Sequence, residues 1–183
     1  PRTTAFEFRP GPLFSNIVLV DEINRAPAKT QSALFEVMEE RQVTVDGRTH
    51  PMGRPFMIVA TQNPIEQEGT YRLPEAQLDR FFFKIDVGYP TLEQEVGILA
   101  RYQQGSEHLS TAIVQPVINV EQLEHARYLV RTVRCEEKLV RYIATLVDHT
   151  RHDPSLMLGA SPRASLAILM GAKAAAAMQG RDF

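Results

Sequence analysis

Ile17-Val18-Leu19-Val20-Asp21-Glu22 is the stretch whose residue types could do the most chemistry: an apolar run that ends in two adjacent acids. The run is short, β-branched at Ile17, Val18 and Val20, and bounded by polar residues, which predicts a buried strand. Carboxylates at the carboxyl end of a buried parallel strand stand where α/β sheets build their sites. There the first acid can hold a Mg²⁺ ion through water, and the second can polarise an attacking water. That is the work of a Walker B strand in a nucleotide-hydrolysing enzyme. The same pattern also arises where a strand merely enters a loop, so the surrounding elements have to decide.

A second apolar run, Phe56-Met57-Ile58-Val59-Ala60, ends in Thr61-Gln62-Asn63-Pro64 and predicts another strand. It sets the amide of Asn63 at the same edge of a parallel sheet. Between the two runs, Pro27 to Arg41 spaces Leu34, Phe35, Val37 and Met38 for a helix. Strand, helix and strand make a right-handed crossover. Pro74 to Phe81 predicts a short helical segment, and Phe81-Phe82-Phe83-Lys84-Ile85-Asp86-Val87 a further strand. Arg80 at that junction carries a rigid, permanently charged fork suited to phosphate. Much later, Gly159-Ala160-Ser161-Pro162-Arg163-Ala164-Ser165 opens a helix, with Ser161 as N-cap and Pro162 at the first helical position. Arg163 follows in the first turn, where a cation opposes the helix macrodipole. Contact with an anion would account for it; helix stability does not.

On these residues the chain resembles the MoxR group of AAA+ ATPases. The resemblance lies in Leu19 to Pro27, Lys29 to Leu34, Met38 to Gly47, Ala60 to Tyr71, Leu73 to Phe81 and Gly159 to Ser165. It is dense over residues 6–90 and thinner beyond. It implies the later half of an α/β domain, an AAA+ P-loop NTPase-type parallel sheet with helices, followed by a small all-helical lid. It implies ATP and Mg²⁺ as cofactors. Asp21 would be the Mg²⁺-associated Walker B acid and Glu22 the base that activates water. Asn63 would be sensor 1, orienting that water and touching the γ-phosphate. Arg80 would be the arginine finger that reaches a neighbouring subunit's nucleotide, a role that elsewhere changes rates by roughly a thousandfold or more. Arg163 would be sensor 2 on the lid, acting in its own subunit or a neighbour's according to where the lid sits.

The resemblance further implies a homo-oligomeric ring, expected to be hexameric, that remodels or matures client proteins, including by metal or cofactor insertion. Proteins with a von Willebrand A-type domain are the implied partners. A chelatase-type or helicase-type motor is the alternative machine, and a catalytically silent scaffold subunit that lends Arg80 to another site is the alternative class. A scaffold has no need of both Asp21 and Glu22.

One departure bears on activity. No Gly-x-x-x-x-Gly-Lys-Ser/Thr occurs in the 183 residues, so neither the amides that cradle phosphates nor their lysine is present in this stretch. A portion of a larger ATPase is expected, and these residues by themselves are not expected to hydrolyse ATP. Arg72 stands where the family pattern has proline; it reads as a solvated loop residue or as a cationic interface contact.

Composition narrows the field further. The net charge of -2 gives no electrostatic footprint for nucleic acid or an anionic membrane, and no aromatic-basic strip is visible. Cys135 is the one cysteine, so no internal disulfide can form. No apolar run approaches the roughly 20 residues that span a bilayer, and the cytoplasm is the expected location.

Two domains are expected, an α/β core over 1–90 and a helical lid over 91–183. Within the first, Val43 to His50 alternates around Asp46-Gly47, a hairpin signal. The family carries a pre-sensor 1 hairpin here, either substrate-facing or a plain surface feature. Gly88-Tyr89-Pro90 reads as a hinge, and helices are predicted over 91–104, 120–133, 136–152 and 162–179, the first capped by Thr91. His149 and His152 share a helix face beside Asp153 but lack a third metal ligand, so an exposed polar face is expected. Arg25 is read as pairing with a local acid or a neighbouring subunit. Glu39-Glu40-Arg41 reads as ordinary solvated charge at a helix end, and Glu66 and Glu68 as loop acids.

Overall fold

The computed structural model describes residues 7–63, 71, 73–104 and 114–182. Strand β1 (Ile17–Val20) passes through a single 3-10 turn, Ile23–Arg25, into helix α1 (Ala28–Glu40). The hairpin β2 (Gln42–Val45) and β3 (Arg48–Pro51) follows, and the chain returns as β4 (Met57–Ala60). β1 and β4 pair in parallel, Ile17 opposite Met57 and Val20 opposite Ala60. Hydrogen bonding continues past their carboxyl ends: Thr61 N–H donates to the Val20 carbonyl at 3.0 Å and Ile23 N–H to that of Thr61 at 3.1 Å. Asp21 and Asn63 therefore leave the sheet from one edge, as the strand-helix-strand reading requires.

Helix α1 covers one face of this pair. Ile23, Phe35 and Leu73 form the core there, with Val20, Leu34, Met38, Ala60, Leu78 and Phe81 packed around them. Phe35 and Phe81 meet edge to face, ring centres 6.0 Å apart. The opposite face departs from the expected fully buried strand. Ile17 and Leu19 are 64% and 66% exposed, because a parallel sheet is dry on both sides only when elements cover both. The described residues cover one.

The hairpin forms as predicted, with Asp46 at φ 50° and Gly47 at φ 75°, the left-handed pair that a type I′ turn demands. Arg41, also left-handed at φ 53°, closes α1 by donating its N–H to the Val37 carbonyl. Residues 81–87 do not form the expected strand. β1 and β4 pair only with each other among the described residues, so no ladder is offered to this segment, and Phe83, Ile85 and Val87 stay exposed. Apolar composition cannot make a strand without a backbone partner.

After the one-turn helix α2 (Glu75–Leu78) the chain turns helical: α3 (Leu92–Gln103), α4 (Val120–Thr132), α5 (Glu137–His152) and α6 (Pro162–Met178). Thr91 and Asn119 start α3 and α4 with complete capping boxes, closed by Gln94 and Gln122. α6 packs on both α4 and α5, with Val147 of α5 and Ala176 of α6 almost wholly buried. The alanine run 174–177 suits that approach. Beyond α5, Ser155 donates both its N–H and its hydroxyl to Asp153 at 2.9 and 2.7 Å, which lowers the Asp153 carboxyl pKa from its ordinary value. No described helix is long and apolar enough to cross a membrane.

Candidate functional site

Thr61 organises the carboxyl edge of the two strands. Its hydroxyl donates to Asp21 Oδ1 at 2.5 Å and accepts the Glu22 N–H at 2.9 Å. One side chain on β4's exit thus fixes both acids on β1's exit. Glu22 takes a left-handed conformation, φ 50° and ψ 51°, which non-glycine residues adopt at a cost in strain. The chain therefore turns sharply at the second acid, and its carboxylate meets Arg25 Nε at 2.7 Å. Of the two roles read for Arg25, a pairing with a local acid is thus present. Asp21 is exposed, and a solvent-facing carboxylate with a hydroxyl beside it is a hard oxygen set that fits a Mg²⁺ ion held through water.

Two buried amides hold this turn in place. Gln31 on α1, 2% exposed, aims Nε2 at the carbonyls of Ile23, Ala26 and Tyr71 at 3.2, 3.1 and 3.4 Å. Asn24 donates through Nδ2 to the Asn63 carbonyl at 3.4 Å, and its own carbonyl accepts Tyr71 N–H at 2.6 Å. The backbone of Asn63 is thereby tied to the loop that follows the acids.

The two candidate arginines gather elsewhere, around Glu39 in the last turn of α1. Arg80 Nη1 pairs with Glu39 Oε2, and Arg163 Nη2 with Glu39 Oε1 at 2.7 Å. Arg163 Nη1 also reaches Asp79 Oδ2 at 3.4 Å. The Ser161 hydroxyl, sharing its proton between the Asp79 oxygens at 2.7 and 2.8 Å, accepts the Arg163 N–H at 3.0 Å. It is the predicted N-cap, and it also fastens α6 to the turn after α2. Gly159 sets up this corner: a Cβ there would fall 2.5 Å from Arg151 Cα. The close approach lets Arg151 Nε donate to the Ala160 carbonyl at 2.9 Å and Ala160 N–H to Thr150 Oγ1 at 2.9 Å.

Glu39, read from sequence as ordinary solvated charge, is instead the meeting point of both arginines. Thr61, Gln31 and Asp79 were not singled out either. Arg72, Glu66 and Glu68 lie outside the described residues. His152 Nδ1 sits 3.0 Å from the Asp148 carbonyl, and the described residues hold no group of three or more His, Cys, Asp or Glu able to bind a metal. Cys135 is a free, half-buried thiol.

Two family descriptions and several known proteins match this chain. The model of the ATPase family associated with various cellular activities (AAA) matches residues 1–83, and that of the AAA lid domain matches residues 148–183. The chain is 44% identical over 191 aligned positions to chaperone MoxR1 of Mycobacterium tuberculosis, covering 97% of this chain and 48% of that protein. The chain belongs to the MoxR-type AAA+ ATPases.

This MoxR-type chain is also 49% identical to YeaC of Bacillus subtilis over 182 residues, covering all of the chain and 56% of YeaC. Its fold matches the crystal structure of a candidate ATPase from Cytophaga hutchinsonii at a TM-score of 0.85 and 42% identity, over 96% of this chain and 55% of that one. The chain spans about half the length of the curated relatives it matches. Asp21, Glu22, Asn63 and Arg80 fall within the AAA match, and Ser161 and Arg163 within the lid match.

Proposed function

We propose that this chain supplies the water-activating and sensing half of an ATP-hydrolysing site. The observation that carries the reading is the edge of β1 and β4, where the Thr61 hydroxyl holds Asp21 and the Glu22 backbone together. Asp21 would hold Mg²⁺ through water, and the ion would supply charge neutralisation for the phosphates. Glu22 would accept the proton of the attacking water, once its carboxylate parts from Arg25. Asn63, tied through its backbone to Asn24, would orient that water. Arg80 would reach the nucleotide of a neighbouring subunit, and Arg163 would report on phosphate from the lid. The amides and lysine that cradle the phosphates come from sequence other than these residues, which by themselves would be inactive.

The same reading divides the chain into an α/β core over 1–90 and a lid over 91–183. The full-length protein would act in the cytoplasm as a homo-oligomeric, hexameric ring that remodels or matures client proteins, including by metal or cofactor insertion, with von Willebrand A-type domain proteins as partners. The name chaperone borne by the Mycobacterium tuberculosis relative favours this over a chelatase-type or helicase-type motor.

Glu22→Gln in the full-length protein is the test. It keeps the size of the side chain and removes the base. ATP should still bind with near-wild-type affinity while hydrolysis falls by roughly a hundredfold or more, at the scale of general-base catalysis. Unchanged turnover would remove Glu22 from the chemistry and favour the scaffold reading.

A further inference from the structure

Glu39 and Arg163 each carry a charge that is wrong for their own helix. Glu39 lies in the last turn of α1, where the macrodipole disfavours an anion, and no basic residue accompanies it there. Arg163 lies in the first turn of α6, where a cation is disfavoured. Each is right for the other helix. Their 2.7 Å contact, over 124 positions of sequence, brings a cation to the end of α1 and an anion to the start of α6. Arg80 takes the second oxygen of the same carboxylate, and Asp79 balances the remaining charge through Ser161 and Arg163. One corner thus joins α1, the turn after α2 and the head of α6 through two acids and two arginines.

We propose that Glu39 is a positioning residue that latches α6 to this corner by holding Arg80 and Arg163, and that it yields both when phosphate takes its place. The inference rests on the ATPase reading for the identity of the displacing group. The exposures suit exchange at Arg163 first: the Glu39 and Arg163 side chains are 44% and 46% exposed, whereas Arg80 is 27% exposed and its pairing Nη1 is buried. Glu39 gives each arginine one oxygen, whereas a phosphate can offer an arginine fork two oxygens at once and carries greater charge. Glu39 is in effect a resident competitor.

Hydrogen exchange on the nucleotide-free full-length protein tests the latch, comparing wild type, Glu39→Gln and Glu40→Gln. Glu40 sits in the same turn, is exposed, and takes no part in the corner. Glu39→Gln should speed amide exchange in residues 161–166 and 79–82 by roughly two- to tenfold, from two ion pairs of the partly exposed kind. Glu40→Gln should match wild type. Steady-state kinetics then separate positioning from mere stability. Freed of its competitor, Glu39→Gln should lower KM for ATP by roughly two- to tenfold, with a smaller change in kcat. If Glu39→Gln and Glu40→Gln exchange alike and share one KM, the latch is overturned. A wild type that neither binds nor hydrolyses ATP overturns the ATPase reading, and with it the displacement by phosphate. The exchange comparison judges the latch itself in either case.

Discussion

At the scale of single residues, the site divides into what a side chain is and what it touches. Asp21 and Glu22 announce themselves because an acid pair after a β-branched run is a local pattern, and Arg80 and Arg163 because a cation is conspicuous beside a strand-like run or a helix start. Thr61 gives no such signal; a threonine after a strand is commonplace, and its role exists only because Asp21 lies 40 positions away in sequence. Its role is testable. Thr61→Val keeps the branched shape but leaves Asp21 Oδ1 and the Glu22 N–H without their shared partner. Losing such bonds costs about 1 kcal/mol each, and misplacing the two acids costs more in rate than in stability. Turnover of the full-length enzyme should fall roughly tenfold or more, by analogy with partners that orient metal ligands, while Thr61→Ser retains most of it. ATPase rates of the two variants, with circular dichroism to establish folding, decide the matter; equal losses would mean that the hydroxyl is not what matters.

At the scale of elements, the helices were legible and the edge of the sheet was not. Thr91, Asn119, Ser161 and Pro162 mark helix starts because capping is chemistry within four residues. Residues 81–87 read as a strand on apolar composition, yet a strand is a relation between two chains of backbone groups, and none of the described strands pairs with this one. The Phe82 ring instead lies over α6 at Gly171, where an added Cβ would stand 3.7 Å from it, so the segment faces a helix where a ladder was expected. The joint between α5 and α6 was legible only as a glycine before a cap. Its reason is steric: at Gly159 any Cβ would press on the Arg151 backbone, which cannot swing aside as a flexible side chain would. Gly159→Ala should therefore destabilise the protein by about 1–3 kcal/mol, the range for overpacking a fixed site. Because Gly159 sits two residues before the α6 cap, the variant should also disturb Ser161 and its hold on Asp79. A urea midpoint lowered in proportion, with faster exchange at the head of α6, is the expected result; an unchanged midpoint would show that the α5 end can yield.

At the scale of the whole molecule, what matters is which subunit Arg80 serves. Within one chain Arg80 is drawn to Glu39 at the end of α1, while Asp21 and Glu22 stand at the carboxyl edge of β1 with Thr61 between them. An arginine finger that works in trans would resolve this arrangement: each protomer would keep its acids for its own nucleotide and offer Arg80 to a neighbour, released from Glu39 when that neighbour's phosphate arrives. Mixing variants separates trans from cis action without needing the ring's geometry. Full-length Glu22→Gln and Arg80→Ala proteins should each be nearly inactive alone. When they are mixed in equal amounts and allowed to exchange subunits, a working interface needs an intact Glu22 on one protomer and an intact Arg80 on the next. Random assembly of a closed homo-oligomer puts that pairing at about one interface in four, so the mixture should recover up to about a quarter of the wild-type rate. If Arg80 served its own protomer's nucleotide, every chain would lack one of the two groups and mixing would restore nothing. A recovered rate that also collapses on dilution would tie the activity to contact between subunits, since a shared site dissolves when its halves separate.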